Sequence, residues 1–157
     1  MTLFFSCQTE KLNSRPDYVG DIQFDEKLDK KDFFLCDGGD IYQYFNNSGG
    51  MEYEGEKLAI EEEFSKKYHS ENVKNENGWV RIRFVVNCKG ETDRFRILVS
   101  DFNYQPIEMD SKITTQLLQI TKDLKGWKTK TYQKHTVDYY QYLIFKIKDG
   151  KIAEILP

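Results

Sequence analysis

Four arginines, Arg81, Arg83, Arg94 and Arg96, stand two apart in two short runs. Residues two apart on a strand share a face, so this spacing would gather four guanidinium groups on one surface. Tyr140, Tyr142, Lys146 and Lys148 repeat the even spacing near the C-terminus. Like charges side by side on a sheet repel, and three things could offset them. One is an acidic arm of the same chain. Another is an external anionic partner. The third is water, with arginine stacked on tyrosine. Charge is placed to suit the first: residues 1–77 carry 17 acidic and 9 basic side chains, and residues 78–157 carry 9 and 14. Basic residues among aromatics also occur on nucleic-acid platforms. A net charge of -3 lacks the basic balance of that class, so no nucleic-acid partner is expected.

Other residue types offer less. Glu61, Glu62 and Glu63 are adjacent and diverge by about 100° on a helix, so they form no carboxylate pair. His69 and His135 are far apart and flanked by Tyr68 and Lys134, without further ligands. Gly38-Gly39 and Gly49-Gly50 lack any phosphate-loop frame and read as turn glycines. No nucleophile–base set stands out, so the chain is expected to be no enzyme, with no metal and no cofactor. Cys36 and Cys88 lie 52 positions apart, outside any zinc spacing. They read either as one disulfide tying the N-terminal half to the sheet, if the protein is exported, or as two buried thiols.

Leu3-Phe4-Phe5-Ser6-Cys7 resembles the end of a bacterial lipoprotein signal, which would make Cys7 a lipidation site. The basic and longer apolar segments of such a signal do not precede it. The resemblance implies a periplasmic or outer-membrane-anchored protein; a chain that starts at Met1 would be cytoplasmic. Residues 1–32 are polar and acidic enough to read as an N-terminal arm, and 33–157 as one domain. No apolar run exceeds four residues, so no transmembrane helix is expected.

Residues 40–45 read as a short helix capped by Asp37 or Asp40 and stopped by Asn46-Asn47-Ser48-Gly49-Gly50. Residues 55–68 read as a longer helix, with Ile60, Phe64 and Tyr68 on one face. The period then becomes two. Val80, Ile82, Phe84, Val86 and Cys88 alternate with polar or outward residues. After Lys89-Gly90, Phe95, Ile97 and Val99 do the same. A two-residue loop there sets Ile82 against Ile97, Phe84 against Phe95, Arg83 against Arg96 and Cys88 against Glu91. Asp110-Ser111 caps a helix whose Ile113, Leu117, Ile120 and Leu124 share a face, and Gly126 ends it. An irregular stretch follows Trp127. A strand over about 137–148, an Asp149-Gly150 turn and a short strand over 151–156 close the chain. Tyr139 and Tyr140 point to opposite faces, one core and one surface. The pattern predicts an α+β two-layer sandwich, an antiparallel sheet packed by helices.

Gly78-Trp79-Val80-Arg81-Ile82-Arg83-Phe84-Val85-Val86-Asn87, the Lys89-Gly90 turn, the helix 109–124, Gly126-Trp127 and the strand ending Leu143-Ile144-Phe145 together resemble the C-terminal domain of TonB-type energy transducers. The likeness runs over about 38–156 and is best over 78–145. Those transducers also carry an N-terminal membrane helix, a long Pro-rich spacer and a Pro soon after the Trp; here Lys128-Thr129 stands in that last place. The resemblance therefore implies a fold and a habit of binding partners at a sheet edge, not energy transduction. The expected function is a non-enzymatic binding module of the bacterial cell envelope, with an envelope protein as partner and Arg81, Arg83, Arg94, Arg96, Tyr140, Tyr142, Lys146 and Lys148 as its contact face. The alternative is a small-molecule-binding or enzymatic protein with a site between sheet and helices.

Overall fold

The computed structural model describes residues 20–36, 38, 40–43, 51–71 and 73–156. Cys7, the Asp37 cap and the 46–50 stop lie outside them. The fold is α+β, a mixed six-stranded open sheet with two helices. The strands are β1 (Ile41–Tyr42), β2 (Gly78–Val86), β3 (Thr92–Ser100), β4 (Lys130–Tyr132), β5 (His135–Lys148) and β6 (Lys151–Leu156). The helices are α1 (Glu56–Lys67) and α2 (Ser111–Asp123).

Local chemistry accounts for most of these boundaries. Asp110 caps α2, its side chain accepting from the Lys112 N–H at 2.7 Å. Ile113, Leu117 and Ile120 of α2 are buried with Leu124 just beyond it, as their spacing predicts. Ile60 and Phe64 of α1 are buried on one side, and Glu62 and Glu63 pair with Lys66 and Lys67 on the other. Gly150 turns β5 into β6 at φ +74°, where a Cβ would fall 2.4 Å from the Val73 carbonyl oxygen. Only glycine fits that approach.

β5 organises the sheet. β2 runs antiparallel along one side of it, β1 and β6 pair with its other side, and β4 forms a hairpin with its first residues. Val80, Ile82, Phe84 and Val86 of β2 meet Tyr139, Leu143, Phe145 and Ile147 of β5 and the helices in one core. The Phe64 ring lies 4.7 Å from Phe145, and Trp127 packs edge-on to Tyr53 and Phe84 at 4.9 and 5.1 Å. Trp127 is buried, the chain turning back at Gly126 with φ +133°. Its emission should therefore resist quenching by aqueous iodide; quenching as ready as that of free indole would contradict this packing.

Several expectations need correction. The helix expected over 40–45 is not formed in its described part, 40–43: Ile41 and Tyr42 are a two-residue strand, parallel to Asp138 and Tyr139. Six residues are too few to recover the cost of helix nucleation, and Ile and Tyr suit a pleated neighbour. The sheet is consequently mixed, not antiparallel throughout. The loop between β2 and β3 has three residues, not two. Asn87 and Glu91 close it, and the register slips by one between Arg83 and Val85. Arg94 takes up the slip at φ +57°, a bulge. Ile82 still faces Ile97 and Arg83 still faces Arg96, but Val86 now faces Thr92, and Cys88 lies in the turn without a partner across the ladder. Phe95, Ile97 and Val99 pack against the core yet are only partly buried, because β3 is the outermost strand on its side. The stretch after Trp127 contains β4, which turns through Gln133 and Lys134, both at positive φ, into a β5 that begins at His135. His135 is exposed, but on a strand.

Candidate functional site

The sheet face turned away from the helices carries the arginines, and residues 20–36 of the same chain lie across part of it. Asp29 is the anchor. Its carboxylate receives both Arg96 Nη atoms, at 2.8 and 2.9 Å, and both residues are buried. Arg96 also donates to the Gln23 carbonyl at 2.7 Å, and Arg94 reaches that of Ile22 at 3.4 Å. Burial by itself would push the Asp29 carboxyl up. The Arg96 hydrogen bonds, the Asp25 backbone N–H and the nearby charge of Arg96 and Arg94 outweigh it and hold the group below its ordinary value.

Arg83 solves the same problem differently. Its guanidinium lies 3.9 Å from the Tyr140 ring centroid and 5.7 Å from that of Tyr142, and it donates to the Gly20 carbonyl. Arg83 and Arg96 thus sit directly opposite without a clash of charge, one neutralised by a carboxylate and the other stacked on aromatics. Tyr140 is fully buried, not the surface residue expected from its strand parity, because Ile22, Val85 and Tyr140 form a second small core beneath the arm. Its hydroxyl accepts from the Ile22 N–H at 3.0 Å and donates to Asp21 at 3.1 Å. Burial, with the Asp21 charge added, pushes the phenol up. Of the arm's apolar residues Ile22 is buried and Phe24 is 50% exposed, while Tyr18 lies outside the described residues.

The far end of the arm is fastened covalently. Cys36 and Cys88 form a disulfide, Cα atoms 6.0 Å apart, joining the arm to the β2–β3 turn. Buried Asp138 accepts from the Cys36 N–H at 2.6 Å and the Cys88 N–H at 2.9 Å, so one carboxylate holds both ends of the bridge. Asn87 adds a bond to the Phe34 carbonyl at 3.0 Å. Cys36, Cys88 and Asp138 are also the one group of potential metal ligands brought within 4.8 Å among the described residues. With both sulfurs spent on the disulfide, no thiolate is left there for a cation. Replacing both cysteines by serine should lower stability by about 2–4 kcal/mol, since the bridge closes a long loop. Denaturant melts of oxidised protein and double variant would measure it, and equal midpoints would show that the arm is held by its other contacts alone.

The contact face expected from the sequence is therefore divided. Arg83, Arg94, Arg96 and Tyr140 come together under the arm. Arg81 and Lys146 lie beyond it, and Lys148 is exposed beside the β5–β6 turn. On the uncovered part, Trp79, Arg81, Leu98, Ser100, Ile144 and Leu156, from four strands, line a cleft of about 240 Å³ that Tyr104 and Pro106 overhang. The 101–107 loop is held against β3 by a bridge of Pro106 to Ser100, and by Asp101, whose carboxylate accepts from the Asn103 and Gln105 N–H groups. This loop presents Phe102, 40% exposed and edge-on to Trp79 at 5.9 Å, and Tyr104, 71% exposed. The Lys146 ammonium lies 5.3 Å from the Trp79 ring. Sequence reasoning missed this cleft. Trp79 stands out in the sequence only within the family likeness, and Tyr104 and Pro106 belong to no periodic element.

A second depression, about 360 Å³, runs between α1 and β6. Two of its polar groups are already engaged: Glu61 pairs with Lys57, and Tyr68 donates to the Gly150 carbonyl. Burial pushes the Tyr68 phenol up to about 12, too high for proton transfer near neutrality.

Comparison with protein-family models finds no match for the chain, and comparisons with curated proteins and with solved structures find none either.

Proposed function

We propose that the protein is a non-enzymatic, protein-binding module of the cell envelope, a two-layer sandwich of the TonB C-terminal kind. The observation that carries this reading is the cleft on the uncovered sheet face. At about 240 Å³ it is smaller than the pockets that enclose whole metabolites, and it suits one large side chain. Exposed aromatic residues around such a cleft are the usual anchors of protein interfaces. The disulfide supports an oxidising compartment, and hence the envelope.

The contact region belongs at Trp79, Arg81, Phe102 and Tyr104 together with Lys146. The arginines under the arm serve to hold the arm. The resemblance suggested binding at a sheet edge, whereas the cleft favours the open end of the face. Crosslinking of the protein in envelope extracts, with Leu98→Glu as the comparison, tests the reading. One prominent polypeptide partner is expected, rebound when purified and lost with Leu98→Glu while the melting temperature holds. A tightly bound small molecule in native mass spectra, or a partner indifferent to the substitution, would overturn it.

A further inference from the structure

The mouth of the cleft has a definite charge. Arg81 and Lys146 are diagonal neighbours on the open face: Trp79 pairs in register with Lys146, and Arg81 with Ile144. Among the described residues neither Arg81 nor Lys146 makes a hydrogen bond or ion pair, and Lys146 lies over the Trp79 ring. Glu154 stands opposite Lys146 in the ladder, yet no ion pair forms between them. The Asp101 carboxylate nearby is occupied with its own loop. Arg81 thus lines an apolar slot, with Lys146 beside it over the Trp79 ring, and neither cation is held in an ion pair among the described residues.

From this juxtaposition, and resting on the protein-binding reading above, we infer that the occupant is an extended acidic segment of a partner protein. One aromatic side chain of it fills the cleft, and carboxylates two residues to either side meet Arg81 and Lys146. In an extended chain residues two apart share a face about 6.6 Å apart, so the two carboxylates stand about 13 Å apart and the long Arg81 and Lys146 side chains, on diagonal positions about 7–8 Å apart, splay outward to meet them. The aromatic ring gains edge contacts with Trp79 and Tyr104. The carboxylates supply selectivity and steer the encounter.

Trp79 reports on binding directly, since Trp127, the other tryptophan, is buried in the core. The probes are three acetylated, amidated peptides: Glu-Ser-Phe-Ser-Glu, Lys-Ser-Phe-Ser-Lys and Glu-Ser-Ala-Ser-Glu. The first should shift the emission of the intact protein, and a Trp79→Phe variant should abolish the shift. The lysine peptide should bind at least about tenfold more weakly at low salt, a gap of about 1.4 kcal/mol. The gap should close in about 1 M salt, where screening acts within a few ångströms. Arg81→Glu should reverse the order of the two charged peptides.

Equal binding of the glutamate and lysine peptides would overturn the acidic assignment and leave the cleft as an apolar docking site. Equal binding of the phenylalanine and alanine peptides, or no binding by any, would overturn the cleft as an anchor site and the protein-binding reading with it. Two results identify another occupant and equally overturn the inference. One is Trp79 emission as shielded from iodide as that of Trp127 before any peptide is added. The other is a dimer that the first peptide dissociates.

Discussion

Replacing Phe84 by alanine should cost the fold about 3–5 kcal/mol. Phe84 lies toward the C-terminal end of β2, fully buried, with its ring stacked on Phe95 at 5.0 Å and met edge-on by Trp127 at 5.1 Å. Removing it takes away the apolar burial of a whole ring and both aromatic contacts, worth about 0.5–1.5 kcal/mol each beyond burial. The space left cannot close easily. Gln141 of β5, opposite Phe84 in the ladder, is itself buried, and its side-chain oxygen has no hydrogen-bond partner in the described structure. Phe84→Leu should recover most of the loss, because the gap it leaves is far smaller. Urea melts of the three proteins give the comparison. A loss below about 1 kcal/mol for Phe84→Ala would mean that Trp127 and Phe95 collapse into the gap and that the core is less fixed than its packing implies.

Phe84 also shows why part of this fold could be read without coordinates. Val80, Ile82, Phe84 and Val86 alternate so regularly that the face β2 turns toward the helices is fixed. Asp110-Ser111 and the i, i+4, i+7 spacing of Ile113, Leu117 and Ile120 fix α2 in the same local way. What failed depended on distant partners. Ile41-Tyr42 is too short to show a period, and it becomes a strand only because β5, nearly a hundred residues later, extends far enough to pair with it. The bulge at Arg94 leaves the two hydrophobic runs intact, so the alternation could not reveal that the β2–β3 loop is one residue longer. Asp138 reads as an ordinary polar strand residue, and its two bonds to Cys36 and Cys88 exist only once the chain has folded. The cleft fared worst, since its walls come from four strands and a loop, and no single stretch of sequence holds its pattern.

The arm was legible in its charge and not in its pairing. An acidic N-terminal half beside a basic sheet predicts contact, but it does not select Asp29 among the arm's carboxylates. Selection comes from geometry: the turn at 25–29, closed by the Asp29 N–H to the Asp25 carbonyl at 2.8 Å, aims that side chain at Arg96. Asp29→Ala should therefore destabilise by about 3–5 kcal/mol, the range for removing one partner of a buried pair. An exposed pair such as Lys57–Glu61 would be worth about 0.2–1 kcal/mol. The cost reflects a guanidinium left buried opposite Arg83 without its counter-charge. Asp29→Asn keeps an acceptor for Arg96 and should lose less. The effect should also depend on pH. Because the folded protein holds the Asp29 carboxyl below its ordinary value near 3.8, its contribution is complete above that value. It fades as pH falls through the lower, folded value. The stability difference between wild type and Asp29→Ala should thus be largest near neutrality and shrink below about pH 4. Melts at pH 7 and pH 3 would test this. A difference that stays constant between them would show that Asp29 acts through its bond to the Asp25 N–H and the shape of the turn, and that its charge does not fasten the arm.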